Sequence, residues 1–430
     1  MDLHSVLAAT SPAFTYRDGR LTASGVDLAE IAEAAGGPVY IYDLGAIVAA
    51  YREFEAAFAG QETRICYAMK ANDSAGVLKA LVGAGAGLDI VSGGELALAL
   101  SIGAPADRIV FSGVGKTDAE IAAAVDAGVM QMNVETPFEL SRISEIAAAK
   151  GKAQPVALRI NPDLEAGTLE DISTGRAKDK FGVAFEDAER LYREAAEMPG
   201  VEPVGVAMHI GSQIQDVAFC AAACAKLRGL WETLAAAGVK LSRFDVGGGL
   251  GILYETDKPP PPLQAYADTV KAAVAGLDCT LMLEPGRRIV GPSGVMLATV
   301  VAVKENAERR FVILDAAMND LIRPALYKAW HTVVPLTDPG PDTPWTPADI
   351  VGPVCESTDK FAEQRALPPL QTGDRVAFLS AGAYGAVMAS EYNGRPRAPE
   401  AVVQGGRWAF TRPPRTYDDL IREQSTPDWL

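Results

Sequence analysis

The chain has 430 residues, 49% of them hydrophobic and 22% charged, with a formal net charge of -16. That length and core content exclude a disordered chain and point to one large domain plus a smaller one. The acidic balance argues against nucleic acid or an anionic membrane as the main partner, while leaving room for a local basic pocket that takes a small anion.

The N-terminal stretch "MDLHSVLAATSPAF" has no basic segment followed by a long apolar core, so no signal peptide is read here. No apolar run is long enough to span a bilayer. Five scattered cysteines (Cys66, Cys220, Cys224, Cys279, Cys355) with no CxxC pair fit free thiols in a reducing cytosol. Only three histidines occur, His4, His209 and His331, which argues against a His-rich metal site.

Along the chain, "PVYIYD" reads as a first strand. From about residue 44, β-rich runs then recur: "RICYAMKA", "GLDIVS", "RIVFSG", "VMQMNVE", "PVALRINP", "PVGVAMHIGS", "RFDVGGG" and "TLMLEPGR". Ala/Leu/Glu-rich segments of helical periodicity separate them, such as "KTDAEIAAAVDAG" and "FELSRISEIAAAKG", several of them ending at Gly103, Gly128 or Gly151. Eight strands alternating with helices match a (β/α)8 TIM-type barrel over residues 44–290, with an open doubly wound sheet as the alternative, because counting cannot show closure. After Gly291 the texture changes. "GVMLATVVAVKE", "RRFVILDAAM", "RVAFLSAGAYG" and "AVVQGGRWAF" are strand-like, and "HTVVPLTDPGPDTPWTP" is loop-rich. Residues 291–430 therefore read as a second, mostly β domain, to which residues 1–43 contribute.

In a parallel barrel, chemistry collects where strands end. Those positions hold Lys70, Asp89, Ser112, Glu135, Arg159, His209 with Ser212, Gly247 to Gly249, and Glu284 with Arg287. "DVGGGLG" offers backbone N–H groups suited to a phosphate. It fails the dinucleotide template, because counting from Gly247 the last required glycine falls on Ile252. "GAGAG" at 83 to 87 fails likewise and reads as a helix end entering a strand. A lysine, a phosphate cradle and a carboxylate together suggest pyridoxal phosphate, bonded through the lysine amine with its ring nitrogen kept protonated by Glu284. Alone, His209 is more simply a hydrogen-bonded core histidine; in this ring it could stack on the cofactor.

"YAMKAN", "VSGGEL", "NPD…STG…KFG", "HIGSQ", "DVGGGLGI.Y", "EPGR", "MNDLIRPALY", "GPVCES.D" and "AGAYG…YN.RPR" run through nearly the whole chain. In these motifs it resembles the barrel-type, alanine-racemase-like pyridoxal-phosphate decarboxylases. "RPALY" and "CES" point to the diaminopimelate branch. The resemblance implies decarboxylation of meso-2,6-diaminopimelate to L-lysine in the cytoplasm, by a homodimer with shared sites.

Residue by residue, the resemblance makes Lys70 the Schiff-base lysine and sets His209 against the ring. Ser212, Gly248, Gly249 and Tyr384, with Gly286 and Arg287 of "EPGR", hold the phosphate, and Glu284 takes the pyridinium N–H. Arg287, Arg323, Tyr327 and Tyr384 face the substrate, the arginines suiting its distal carboxylate. Glu356 receives the distal ammonium, and Cys355 resembles the proton donor, reaching in from the partner chain. One departure stands out: the family's common "DAGAY" is "SAGAY" here, with Ser380 for Asp, which predicts altered surroundings for Tyr384. A relative acting on ornithine, arginine or carboxynorspermidine is the alternative, and Arg323 weighs against it. A non-catalytic cofactor carrier would have no use for Cys355.

Overall fold

The structure, a computed structural model, describes residues 2–162, 180–255 and 259–430. It divides into two compact units. One comprises Val48–Ile252 and Pro260–Arg288, the other Met1–Ile47, Leu253–Pro259 and Ile289–Leu430.

In the first unit each quoted β-rich run supplies one parallel strand: β1 (Thr63–Ala68), β2 (Gly87–Ile90), β3 (Ile109–Phe111), β4 (Gln131–Val134), β5 (Gln154–Asn161), β6 (Val201–Ala207), β7 (Arg243–Asp245) and β8 (Thr280–Leu283). They pair in chain order. β8 returns to β1 through Leu281↔Thr63, Met282↔Arg64 and Leu283↔Ile65. The sheet is therefore a closed barrel, and the doubly wound alternative falls. β2 and β4 are buried at every residue even though they carry Asp89, Gln131 and Asn133. The barrel interior is thus polar along part of its length, and such groups need partners inside.

Local chemistry fixes the helices between strands. Thr117 and Glu120 form a capping box ahead of helix Asp118–Ala127, which stops at Gly128 in the left-handed region (φ 73). Thr136 caps helix Pro137–Ala149, whose first residue is the proline that position favours. Gly103 and Gly151 stand one residue past the caps Ile102 and Lys150. Gly85 (φ 106) closes helix Ala75–Ala84 and Gly87 opens β2, so "GAGAG" is a helix stop entering a strand.

In the second unit the long strand Gly294–Glu305 pairs antiparallel with Val39–Asp43, Arg310–Leu314 and Arg375–Phe378. Val39–Asp43, buried at all its residues, also pairs with Glu400–Gln404, which turns through Gly405 and Gly406 into Arg407–Arg412. Leu21, Leu28, Ile31, Val39, Ile41, Val295 and Leu297 share its core. Two elements were not foreseen in the sequence. Strands Thr346–Val351 and Lys360–Leu367 form an antiparallel pair with two register shifts, and a small sheet joins Phe14–Arg17, Arg20–Ala23 and Val26–Asp27.

Candidate active site

β1 stops at Ala68, and Lys70 sits just beyond it in the single turn Met69–Ala71. Its Nζ lies 2.8 Å from Asp89 Oδ2 at the end of β2. Asp89 is fully buried, and its Oδ1 has no hydrogen-bond partner among the described residues. A buried carboxylate therefore holds this amine at the barrel mouth rather than in bulk water. Lys116 is different. Its ammonium, 1% exposed, is committed to Glu139 at 2.6 Å and to the carbonyls of Gly113 and Asn133.

Glu284 follows β8 and is buried. Asn133 Nδ2 donates to its Oε1 at 3.1 Å and lies 3.5 Å from Asp245 Oδ2. The Glu284 and Asp245 carboxyls are both buried and act on each other. Burial, reinforced by Asp245 and Asp89, pushes Glu284 well above its ordinary value, against the pull of Lys70 and Arg159. Burial raises Asp245 too, against the backbone N–H of Gly247. Two buried carboxyls that raise each other resist ionising together, and a cationic N–H donor placed on Glu284 would let it ionise.

His209 Nδ1 accepts from the Gly248 N–H at 3.2 Å, so its proton is on Nε2. Burial first, then Arg159 and Lys70, hold this imidazole well below its ordinary value, so it is neutral. Arg159 and Glu135, two further charged strand-end residues, pair with each other at 2.8 Å. Ser212 accepts from Arg287 Nη2 at 2.9 Å. A Cβ at Gly248 would lie 2.1 Å from the Glu284 carbonyl, and one at Gly249 (φ 105) 2.1 Å from that of Gly211. Both positions demand glycine, which keeps the backbone between β7 and β8 bare. A lysine, a neutral imidazole, a bare glycine turn with Ser212 and Arg287, and a buried carboxyl suit pyridoxal phosphate group by group.

The second unit carries the remaining predicted residues. Arg323, buried, opens the short helix Arg323–Tyr327; its Nη1 donates to Tyr254 Oη at 3.0 Å and lies 3.1 Å from His331 Nε2. Cys355 and Glu356 are exposed in a loop built on Asp359, whose carboxylate accepts from the N–H groups of Met318 and Val354. Asp359 is thus the buried strut of that loop and Cys355 is not a core thiol. Tyr384 has φ 56, an uncommon conformation for a bulky residue and one that clusters at functional sites. Ser380, also at positive φ, donates its hydroxyl to the Thr10 carbonyl at 2.8 Å. The "NPD…STG" stretch falls partly outside the described residues, as Asp163, Ser173, Thr174 and Gly175 do.

The sequence places Asp89 in the strand-end ring but names no partner for it, shows Asp245 only as the start of a glycine turn, and gives Asn133 no role. The signal available was a polar residue inside an otherwise apolar barrel strand.

Residues 44–291 match the model for the pyridoxal binding domain of pyridoxal-dependent decarboxylases. The chain is 42% identical to the diaminopimelate decarboxylase of Zymomonas mobilis over 97% of its own length and 99% of that protein's. It is 45% identical to the enzyme of that name from Pseudomonas fluorescens, with coverages of 96% and 99%. The crystal structure of diaminopimelate decarboxylase from M. jannaschii in complex with L-lysine superposes with a TM-score of 0.93 at 34% identity, covering 98% of this chain and 100% of that one.

Proposed function

This chain belongs to the pyridoxal-dependent decarboxylases and, within them, to the diaminopimelate decarboxylases, and from that premise we propose how its residues perform the reaction. The enzyme converts meso-2,6-diaminopimelate to L-lysine and CO2 with pyridoxal phosphate. One observation carries the reading of the site: a single barrel rim joins the Lys70–Asp89 pair to neutral His209, the glycine turn and buried Glu284.

Bound pyridoxal phosphate supplies an electron sink for the pair left on Cα when CO2 departs. Lys70 is the amine that anchors it, and Asp89 keeps that amine in place. Ser212, Gly248, Gly249, Gly286, Arg287 and Tyr384 hold the phosphate. His209, neutral, covers one ring face without adding charge. Glu284 holds the proton on the ring nitrogen, which its buried setting makes a strong, undiluted interaction. Arg323, with Arg287, Tyr327 and Tyr384, binds the substrate, Arg323 taking the distal carboxylate. Glu356 receives the distal ammonium, and the Cys355 thiol returns a proton to Cα.

Two chains complete each other's sites as a homodimer, Cys355 entering from the partner. Its five free cysteines support residence in the reducing cytoplasm. Among the described residues no helix is long and apolar enough to cross a membrane. The test is direct. Purified protein with pyridoxal phosphate and meso-diaminopimelate should release equal amounts of lysine and CO2 and scarcely act on ornithine, whose lack of a distal carboxylate leaves Arg323 without a role. Comparable turnover of ornithine would favour the alternative substrate class.

A further inference from the structure

Arg323 is held by more than burial. Its Nη1 carries two hydrogens, and two acceptors meet them: Tyr254 Oη at 3.0 Å and His331 Nε2 at 3.1 Å. The Tyr254 ring lies under the guanidinium, with Cζ 4.8 Å from the ring centroid, and packs edge-on against His331 at 5.3 Å. The far side of the imidazole is fixed as well. His331 Nδ1 lies 2.9 Å from the Leu379 carbonyl, and the ring is 1% exposed.

These contacts determine the state of the imidazole. A carbonyl only accepts, so Nδ1 bears a hydrogen; a guanidinium only donates, so Nε2 is bare. His331 is the neutral Nδ1–H form. The segment that carries it is pinned in turn: Arg365 donates to the His331 carbonyl at 2.9 Å and stacks on Trp330 with Cζ 3.3 Å from the ring centroid. A flexible arginine has lost its freedom of rotation before any ligand arrives.

We infer that His331 is a positioning residue for substrate selection: with Tyr254 it sets the plane of the Arg323 guanidinium, so that the arginine meets a carboxylate in one prepared orientation. This rests on the reading of Arg323 as the partner of the distal carboxylate. Decarboxylation of a symmetric diacid leaves one carboxylate on the product. L-lysine therefore tests this contact, and 1,5-diaminopentane, which has none, controls for the rest of the site.

His331→Leu removes the acceptor, and His331→Gln returns one. In the holoenzyme, His331→Leu should raise KM for meso-diaminopimelate about tenfold and weaken inhibition by L-lysine to match, with kcat changed less than about twofold. Inhibition by 1,5-diaminopentane should not move. His331→Gln should recover most of the loss, and in an Arg323→Ala background His331→Leu should add nothing. If His331→Leu does not fold, Tyr254→Phe removes the other Nη1 acceptor from a half-buried side chain and should raise KM and lysine inhibition constants together by several-fold. The inference is overturned if lysine and diamine binding weaken equally, or if the His331→Leu and Arg323→Ala effects add. Should Arg323→Ala itself leave KM and lysine inhibition unchanged, the reading of Arg323 fails instead, and the two failures are distinguishable.

Discussion

Lys70 Nζ and Asp89 Oδ2 are 2.8 Å apart, the amine one-third exposed and the carboxylate wholly buried. This pair separates Lys70 from the other lysines near the barrel. Lys116 is sealed among Glu139 and two carbonyls, and Lys180 lies exposed over the Phe181 ring. After incubation with pyridoxal phosphate and borohydride reduction, peptide mapping should find the pyridoxyl label on Lys70. A label on Lys116 or Lys180 would refute the assignment.

Glu284 should matter to turnover more than to cofactor retention. Glu284→Gln keeps the shape and the Asn133 contact but brings no negative charge to hold the ring nitrogen protonated. Loss of a charged hydrogen bond of this kind costs about 1.5–3 kcal/mol, so kcat should fall about ten- to a hundredfold. Absorbance of the bound cofactor should persist. Wild-type kcat in the variant would remove Glu284 from this role.

The Asp245–Glu284 pair should also leave a signature in the protein without cofactor. Both carboxyls are raised by burial, so the folded state keeps protons that the unfolded chain releases near pH ~4. Their favourable contribution is complete below that value and is lost as pH rises through the raised values. Asp245→Asn cannot ionise. Its melting temperature relative to wild type should therefore be higher at pH about 7.5 than at pH about 4.5. A difference independent of pH would count against the raised state of these buried carboxyls.

The shared-site dimer can be tested by complementation. Lys70→Ala and Cys355→Ala homodimers are mixed, dissociated and reassociated. Random pairing makes about half the dimers mixed, each with one intact site, so about a quarter of wild-type sites should return. Activity is measured as the excess over residual Cys355→Ala turnover, because water can partly replace the thiol. Demonstrated subunit exchange with no excess would refute the shared site.

The barrel was legible because each strand is a short β-rich run closed by a chemically distinctive residue, and each intervening helix announces its stop with glycine. Lys70, His209 and Glu284 stood out by type and place. Their supporting groups did not. Asp89 in "GLDIV" and Asn133 in "MQMNV" look like solvent-side residues until closure of the barrel buries them together. In the sequence His331 is only one of three scattered histidines, since its bond to Arg323 depends on the turn of helix Arg323–Tyr327. Strand Thr346–Val351 was hidden by Pro347 and by register shifts that break the alternation of buried and exposed residues. Ser380 was the informative departure. A carboxylate there could not donate to the Thr10 carbonyl, whereas the hydroxyl does, so the substitution is answered by residues at the far end of the sequence.

The position of Val39–Asp43 in the chain decides how long this strand waits for its partners during synthesis. This fully buried strand leaves the ribosome before any of its sheet neighbours, Gly294–Glu305 on one side and Glu400–Gln404 on the other. All eight barrel strands are translated in between, and each can find its partner as it emerges. The nascent chain therefore carries an unpaired apolar edge through most of translation, the kind of segment that recruits chaperones or aggregates when elongation stalls. A ribosome halted after the barrel would hold a folded cylinder with a sticky segment ahead of it, while the β-rich unit still lacks its later strands.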